Sequence, residues 1–226
     1  MQLLEARDVG KVYETRGVST RALSNVNLRL DDGEFAALAG PSGSGKTTLL
    51  NLFGGLDAPT EGSVLLGGKD LGELSPAELA RERLHKLGFV FQAYNLIPVL
   101  TARENVEFVM ELQGVTSAER RERALAMLEE VGLGGLGDKR PLEMSGGQQQ
   151  RVAVARAIVG GPRLVLADEP TGELDETTGN QIAGLLDRVN ADGTSLVVVT
   201  HDPLLAGRAH RHLGMRSGRL LRGTGP

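Results

Sequence analysis

Gly40-Pro41-Ser42-Gly43-Ser44-Gly45-Lys46-Thr47 matches the pattern G-x-x-x-x-G-K-[ST] at every position. An apolar run over 34–38 precedes it and the helical pattern 45–53 follows, which is the strand-loop-helix setting the motif requires. The glycines let backbone N–H groups turn inward around an anion, and the start of the helix adds the positive end of its dipole at the same spot. The reading is therefore a cradle for a nucleotide's β-phosphate made by residues 40–46, with Gly40, Pro41, Ser42, Gly43, Ser44 and Gly45 as its wall and Thr48 beside it. Lys46 is expected to reach the β- and γ-phosphates, and the Thr47 hydroxyl to ligate Mg²⁺. A chance Gly/Ser-rich turn is the competing explanation, and it accounts for neither flank.

Arg163-Leu164-Val165-Leu166-Ala167-Asp168-Glu169 is an apolar strand ending in two carboxylates. Ligands of parallel sheets sit at the carboxyl ends of the strands. That places Asp168 to hold Mg²⁺ through water and Glu169 to meet water attacking a γ-phosphate. Surface carboxylates at a strand end are common, so the pair gains its meaning from the loop. An acid directly after the metal-binding aspartate favours ATP hydrolysis over phosphoryl transfer to a second substrate.

The surrounding chain has 226 residues, with 24% charged and 3% aromatic residues and no tryptophan. Such a length buries a sizeable core in one domain, and scarce aromatics make that core aliphatic. A net charge of −4 argues against a nucleic-acid partner. With no cysteine, disulfides and thiolate metal sites are excluded. The first residues lack the apolar run of a secretory signal, and no stretch approaches 18 apolar residues. The expectation is a soluble, cytoplasmic chain whose membrane association comes only through partners.

Strand patterns are expected over 3–13, 22–30 and 34–38, with the Asp31-Asp32-Gly33 turn making a hairpin of the last two, and again over 62–66. Helical periodicity covers 77–86, 102–113, 117–131 and 147–160. Two apolar runs, 164–167 and 196–199, suit buried parallel strands, with a helix near 177–190 between them. Strands, a helical block, then alternating strand and helix describe an α/β core lobe, about 1–92 and 161–226, interrupted by a helical lobe of about 93–160.

Met144-Ser145-Gly146-Gly147-Gln148-Gln149-Gln150-Arg151 opens a helix upstream of Asp168. By itself Ser-Gly-Gly reads equally as a helix cap. Between the phosphate loop and Asp168-Glu169 it resembles the signature motif of ABC ATPases, and the resemblance extends over essentially the whole chain. It implies a P-loop NTPase fold of α/β class, with a RecA-like parallel core sheet, an antiparallel β part and an inserted helical signature subdomain. It implies that Ser145, Gly146, Gly147 and Gln148 bind the γ-phosphate of ATP held by a second protomer, giving a homodimer with two composite sites. Gln92 resembles the Q-loop glutamine that touches Mg²⁺ or the attacking water. Asp175, in Thr171-Gly172-Glu173-Leu174-Asp175, resembles the D-loop aspartate at the dimer seam, His201 the switch histidine and Tyr13 the aromatic that stacks on adenine. His201 as a polar strand-end residue and Tyr13 as a half-buried strand aromatic remain the plain alternatives. The implied catalytic set is Glu169, His201, Gln92 and Lys46; the implied metal set is Thr47, Gln92 and Asp168; the cofactors are ATP and Mg²⁺.

Finer text, including Asn51-Leu52-Phe53-Gly54-Gly55-Leu56-Asp57 and Asn95-Leu96-Ile97-Pro98-Val99-Leu100-Thr101, is similar to the branch containing LolD, MacB and FtsE ATPases. That implies work at the cytoplasmic face of a bacterial inner membrane with separate transmembrane permease subunits, in LolD-like lipoprotein release or MacB-like export. The alternative is an FtsE-like regulator of cell-wall hydrolysis. Soluble ABC ATPases of translation or repair resemble tandem domains or carry long coiled coils, and neither is present. Met144 replaces the usual signature leucine with similar volume. Glu173, where the branch has Asn or Ala, adds a carboxylate near the expected seam. The run Glu119-Arg120-Arg121-Glu122-Arg123 mixes signs as a solvated helix face does.

Overall fold

The computed structural model describes residues 2–15, 17–172 and 174–221. Alternation decides the first two strands. β1 (Gln2–Thr15) pairs antiparallel with β2 (Val18–Asp31), which buries Leu23, Val26, Leu28 and Leu30 and exposes the residues between them. The next strand, β3 (Phe35–Ala39), follows a different rule, because Phe35, Ala36, Ala37 and Leu38 are all buried. A run buried on both faces belongs inside a parallel sheet. The expected hairpin across Asp31-Asp32-Gly33 is therefore not formed: β2 and β3 lie in different sheets, and the hairpin is β1–β2.

The loop after β3 leads into α1 (Lys46–Phe53), followed by β4 (Glu61–Leu66), β5 (Lys69–Asp70), α2 (Pro76–Lys86) and β6 (Leu87–Val90). Then come α3 (Ala102–Leu112), α4 (Ser117–Glu130) and α5 (Gly146–Ile158). Reciprocal capping boxes, Ser75 with Glu78, Thr101 with Glu104 and Ser145 with Gln148, start α2, α3 and α5. The chain continues through β7 (Leu164–Asp168), α6 (Glu176–Ala191), β8 (Ser195–Val199), α7 (Pro203–Ala206), β9 (Arg211–Arg216) and β10 (Arg219–Leu220).

Two sheets result, an antiparallel one ordered β2-β1-β4-β5 and a six-stranded one ordered β10-β9-β3-β8-β7-β6. In the latter only β10 runs antiparallel to its neighbour. Successive side chains of its strands serve two cores. Ala36, Leu38, Leu164, Leu166, Val197 and Val199 pack with α1 and the antiparallel sheet. Phe35, Val165, Ala167, Leu196 and Val198 pack with α3, α4, α5 and α6, so the helical block and one sheet face share a continuous core. Because β3, β8, β7 and β6 are parallel neighbours, the segments that follow them emerge along one edge.

Candidate active site

The phosphate-loop sequence lies on that edge. Gly45 (φ 104°) leaves the loop for α1 in a conformation that L side chains rarely adopt, and a Cβ there would meet the Ala22 carbonyl at 2.8 Å. The helix has no side-chain cap and no acidic residue in its first turn, so an anion can satisfy its N-terminal N–H groups. Ser44 Oγ is buried with no hydrogen-bond partner. The Lys46 amine donates to the carbonyls of Gly40 (2.7 Å) and Pro41 (3.1 Å), which folds the cation over the loop's own entrance. A cationic amine and an uncapped helix start meet at the loop, and together they fit a polyphosphate; Ser44 does not line the cleft.

Across from the loop, Thr47 Oγ1 donates to Asp168 Oδ2 at 2.7 Å. Glu169 takes a left-handed backbone (φ 48°), its N–H pinned to the Val199 carbonyl at 2.9 Å. Its Oε2 accepts from the His201 N–H at 3.2 Å, and the His201 ring stands 3.5 Å from Oε1. Gln92, just after β6, completes the wall of an open cleft of about 790 Å³ also lined by Ser42, Gly43, Lys46 and Thr47. Thr48, Asp168, Glu169 and His201 face the same space. Gly40 and Pro41, at the start of the loop, are not among the residues lining the cleft.

The remaining expected residues lie elsewhere. Ser145 and Gly146 are exposed at the start of α5, where Ser145 Oγ accepts from the Gln148 N–H (3.3 Å) and Gln148 Oε1 from the Ser145 N–H (3.0 Å). These two, with Gly147 and Gln148, are not among the residues lining the cleft. Asp175 caps α6 through Thr178, whose hydrogen bonds hold its carboxyl below the usual range. Tyr13 pairs across the strand with Thr20 on the cleft wall, yet it lines no part of the cleft itself. Its phenol donates to Asp57 at 2.9 Å, and the Lys11 ammonium sits 4.9 Å from its ring. Burial, then the Asp57 contact, pushes the phenol's pKa up; burial alone would raise Asp57 too, but Lys11 and Tyr13 hold it down. Glu173 lies outside the described residues.

The structure also brings Arg21, Thr171 and Asp202 to the cleft, none of which the sequence reading singled out. Arg21 forms a two-pronged pair with Glu61, 2.9 Å on each arm. Thr171 Oγ1 donates to Asp202 Oδ2 at 3.1 Å, tying the segment after Glu169 to the one after His201. Threonine two residues beyond the Asp168-Glu169 pair, and an acid directly after His201, were the available signals.

A phosphate loop, a hydroxyl–carboxylate pair and a second acid on the carboxyl edge of a mostly parallel sheet define a nucleotide site of the P-loop NTPase class. A sequence profile of the family described as "ABC transporter" matches residues 23–172, and the chain belongs to that family. Its fold and motifs are those of an ABC ATPase domain. The chain is 45% identical over 97% of its length to a macrolide export ATP-binding/permease protein MacB of Paracoccus denitrificans, of which it spans 33%. It is 46% identical to an uncharacterized ABC transporter ATP-binding protein of Thermotoga maritima, covering 97% of this chain and 94% of that one. The ATP-binding cassette MJ0796, solved as a dimer in a post-hydrolysis state with ADP and Pi, superposes with a TM-score of 0.94 at 44% identity, 97% of each chain being covered. The chain thus spans about a third of the length of the MacB proteins it matches. No helix among the described residues is long and apolar enough to cross a membrane.

Proposed function

We propose that this chain binds Mg-ATP, closes as a head-to-tail homodimer and hydrolyses ATP to drive a permease of the LolD/MacB type, most closely in lipoprotein release. The observation that carries the reading is a division of the motif residues: Lys46, Thr47, Gln92, Asp168, Glu169 and His201 face one cleft, while Ser145 and Gly146 face outward from the same protomer. A second copy, turned about a two-fold axis, is what completes each cleft.

Lys46 and the loop amides hold the β- and γ-phosphates in the closed state. Mg²⁺, when bound, would supply positive charge against the phosphate oxygens. Thr47 Oγ1 and Asp168, the latter through water, are the chain's share of its coordination, with Gln92 approaching from β6. Among the described residues no group of three or more His, Cys, Asp or Glu is placed to hold a metal ion by itself; phosphate oxygens would complete its shell, as is usual for Mg²⁺. Glu169 orients water in line with the leaving oxygen and accepts its proton. His201 donates toward the γ-phosphate. Ser145, Gly146, Gly147 and Gln148 of one protomer reach the γ-phosphate held by the other, Asp175 crosses the seam, and Tyr13 borders the adenine end. Positioning and charge stabilisation supply most of the catalysis. In this reading the permease is a separate transmembrane partner. The same reading places the ATPase at the cytoplasmic face of the inner membrane, held there by its partners.

The test is capture of the Glu169→Gln variant with ATP from native membranes. Recovery of membrane subunits with large extracytoplasmic domains together with lipoproteins supports release. Recovery of a division-type membrane protein with cell-wall hydrolases makes the chain a regulator instead.

A further inference from the structure

α5 does more than present its N-terminus. From its last turn, Arg156 extends a partly buried guanidinium to two successive backbone carbonyls, Nη2 to Tyr94 at 2.9 Å and Nη1 to Asn95 at 2.6 Å. Burial presses its pKa down, and the two carbonyls are its hydrogen-bonded support. Those carbonyls are unusual acceptors. Tyr94 (φ 56°) and Asn95 (φ 50°) both take the left-handed conformation, which is unfavourable for consecutive non-glycine residues. They close a tight turn, Tyr94 N–H to Phe91 O at 3.1 Å and Asn95 N–H to Ala93 O at 2.5 Å, and Gln92 lies inside it.

We propose that Arg156 is a positioning residue for Gln92, holding the strained turn that aims this glutamine into the ATP cleft. The planar fork suits the task, because it donates two parallel hydrogen bonds from one rigid group. The far side of the turn is also set against α5: a Cβ on Gly146 would meet the Tyr94 phenolic oxygen at 2.9 Å. Tyr94 therefore lies along the helix, its carbonyl near Arg156 and its hydroxyl at the first turn. On the same helix, the buried Gln150 donates from Nε2 to the Pro170 carbonyl at 3.0 Å, directly after Glu169. One helix thus supports the segments carrying both Gln92 and Glu169, while its exposed start faces the position of a second copy.

The inference rests on the proposed role of Gln92 at the metal or the attacking water. A double-mutant cycle in the full chain tests it, with Arg156→Ala, Gln92→Ala and the pair compared for turnover, ATP affinity and melting temperature. Arg156→Ala is expected to slow turnover about tenfold or more while ATP affinity stays unchanged, and the double variant to be no slower than Gln92→Ala, because both losses pass through one side chain. Losses that multiply, or a fall in affinity and melting temperature with turnover retained, overturn the positioning role in favour of a plain helix–loop tie. Should the alanine variant not fold, Arg156→Lys keeps the charge and stem but loses the fork, and the same cycle applies. Undiminished turnover in Gln92→Ala removes the reading of Gln92 and this inference with it; slow Gln92→Ala beside fast Arg156→Ala removes the inference alone.

Discussion

Thr47 and Asp168 are 121 residues apart in the chain and 2.7 Å apart in space, the threonine hydroxyl donating to the carboxylate. One oxygen rides on the first turn of α1 and the other on the end of β7, so the parallel pairing of β3, β8 and β7 sets their spacing. An exposed hydrogen bond of this kind adds only about 1 kcal/mol to stability. Its value lies in presenting two hard oxygens to one point.

Removing the carboxylate is therefore expected to act on metal, not on folding. Asp168→Ala should lower Mg²⁺ affinity in the ATP complex about 10- to 100-fold, the usual cost of losing a group that acts through a bound water. Calorimetry with and without Mg²⁺ reads it directly. If Mg²⁺ still strengthens ATP binding as in the parent chain, Asp168 is not its partner.

Glu169→Gln removes the proton acceptor and keeps the side chain's shape. Turnover should fall about 100-fold or more, with ATP binding retained and the dimer persisting in ATP. Adding Ser145→Arg places a long cation at the exposed start of α5, and light scattering should then return the monomer mass. A dimer that survives both changes would refute the cross-protomer arrangement.

Glu5 offers a pH handle away from the cleft. Hydrogen bonds from Arg7 (2.6 Å) and Arg29 (3.0 Å) outweigh its burial and bring its pKa from 4.5 to about 2. A depressed folded-state value means stability that is fully present above pH 4.5 and lost as pH falls through about 2. Glu5→Gln should flatten the urea midpoint across that window relative to the parent chain. Equal slopes in both would show that other carboxylates govern the acid limb.

The continuous core between α4, α5, β7 and β8 makes a prediction about cooperativity. Leu128, 1% exposed on α4, should cost about 2–5 kcal/mol when cut to alanine. Far-UV circular dichroism and loss of ATP binding should still report one coincident transition. An earlier separate step, seen by dichroism with ATP binding intact, would mean that the helical block melts alone.

Much of this architecture was legible in one dimension because the relevant forces are local. The glycine pattern and its strand-helix flanks mark the phosphate loop, and helical periodicity marks α2, α3, α4 and α5. Short runs with β character mark β1 and β2. The errors came where partner choice mattered. The run over 34–38 was joined to its sequence neighbour, whereas its burial on both faces placed β3 between β8 and β9. Strand β9, with arginine at both ends, carries no apolar run and owes its conformation to pairing with β3 and β10.

By itself the sequence determined the chemical inventory of this chain: the loop for phosphate, the paired carboxylates at a strand end, and the glycine-rich start of a helix. Only the tertiary structure decided which of those groups meet. Strand order brought Gln92, Asp168, Glu169 and His201 to the loop at one edge, turned Ser145 and Gly146 outward, and set Arg156 on the turn that carries Gln92. The physical reason is that caps and periodicity act within a few residues, whereas register between parallel strands and the packing of a helix on a sheet face are settled by contacts between distant parts of the chain, such as Phe35 with Leu196.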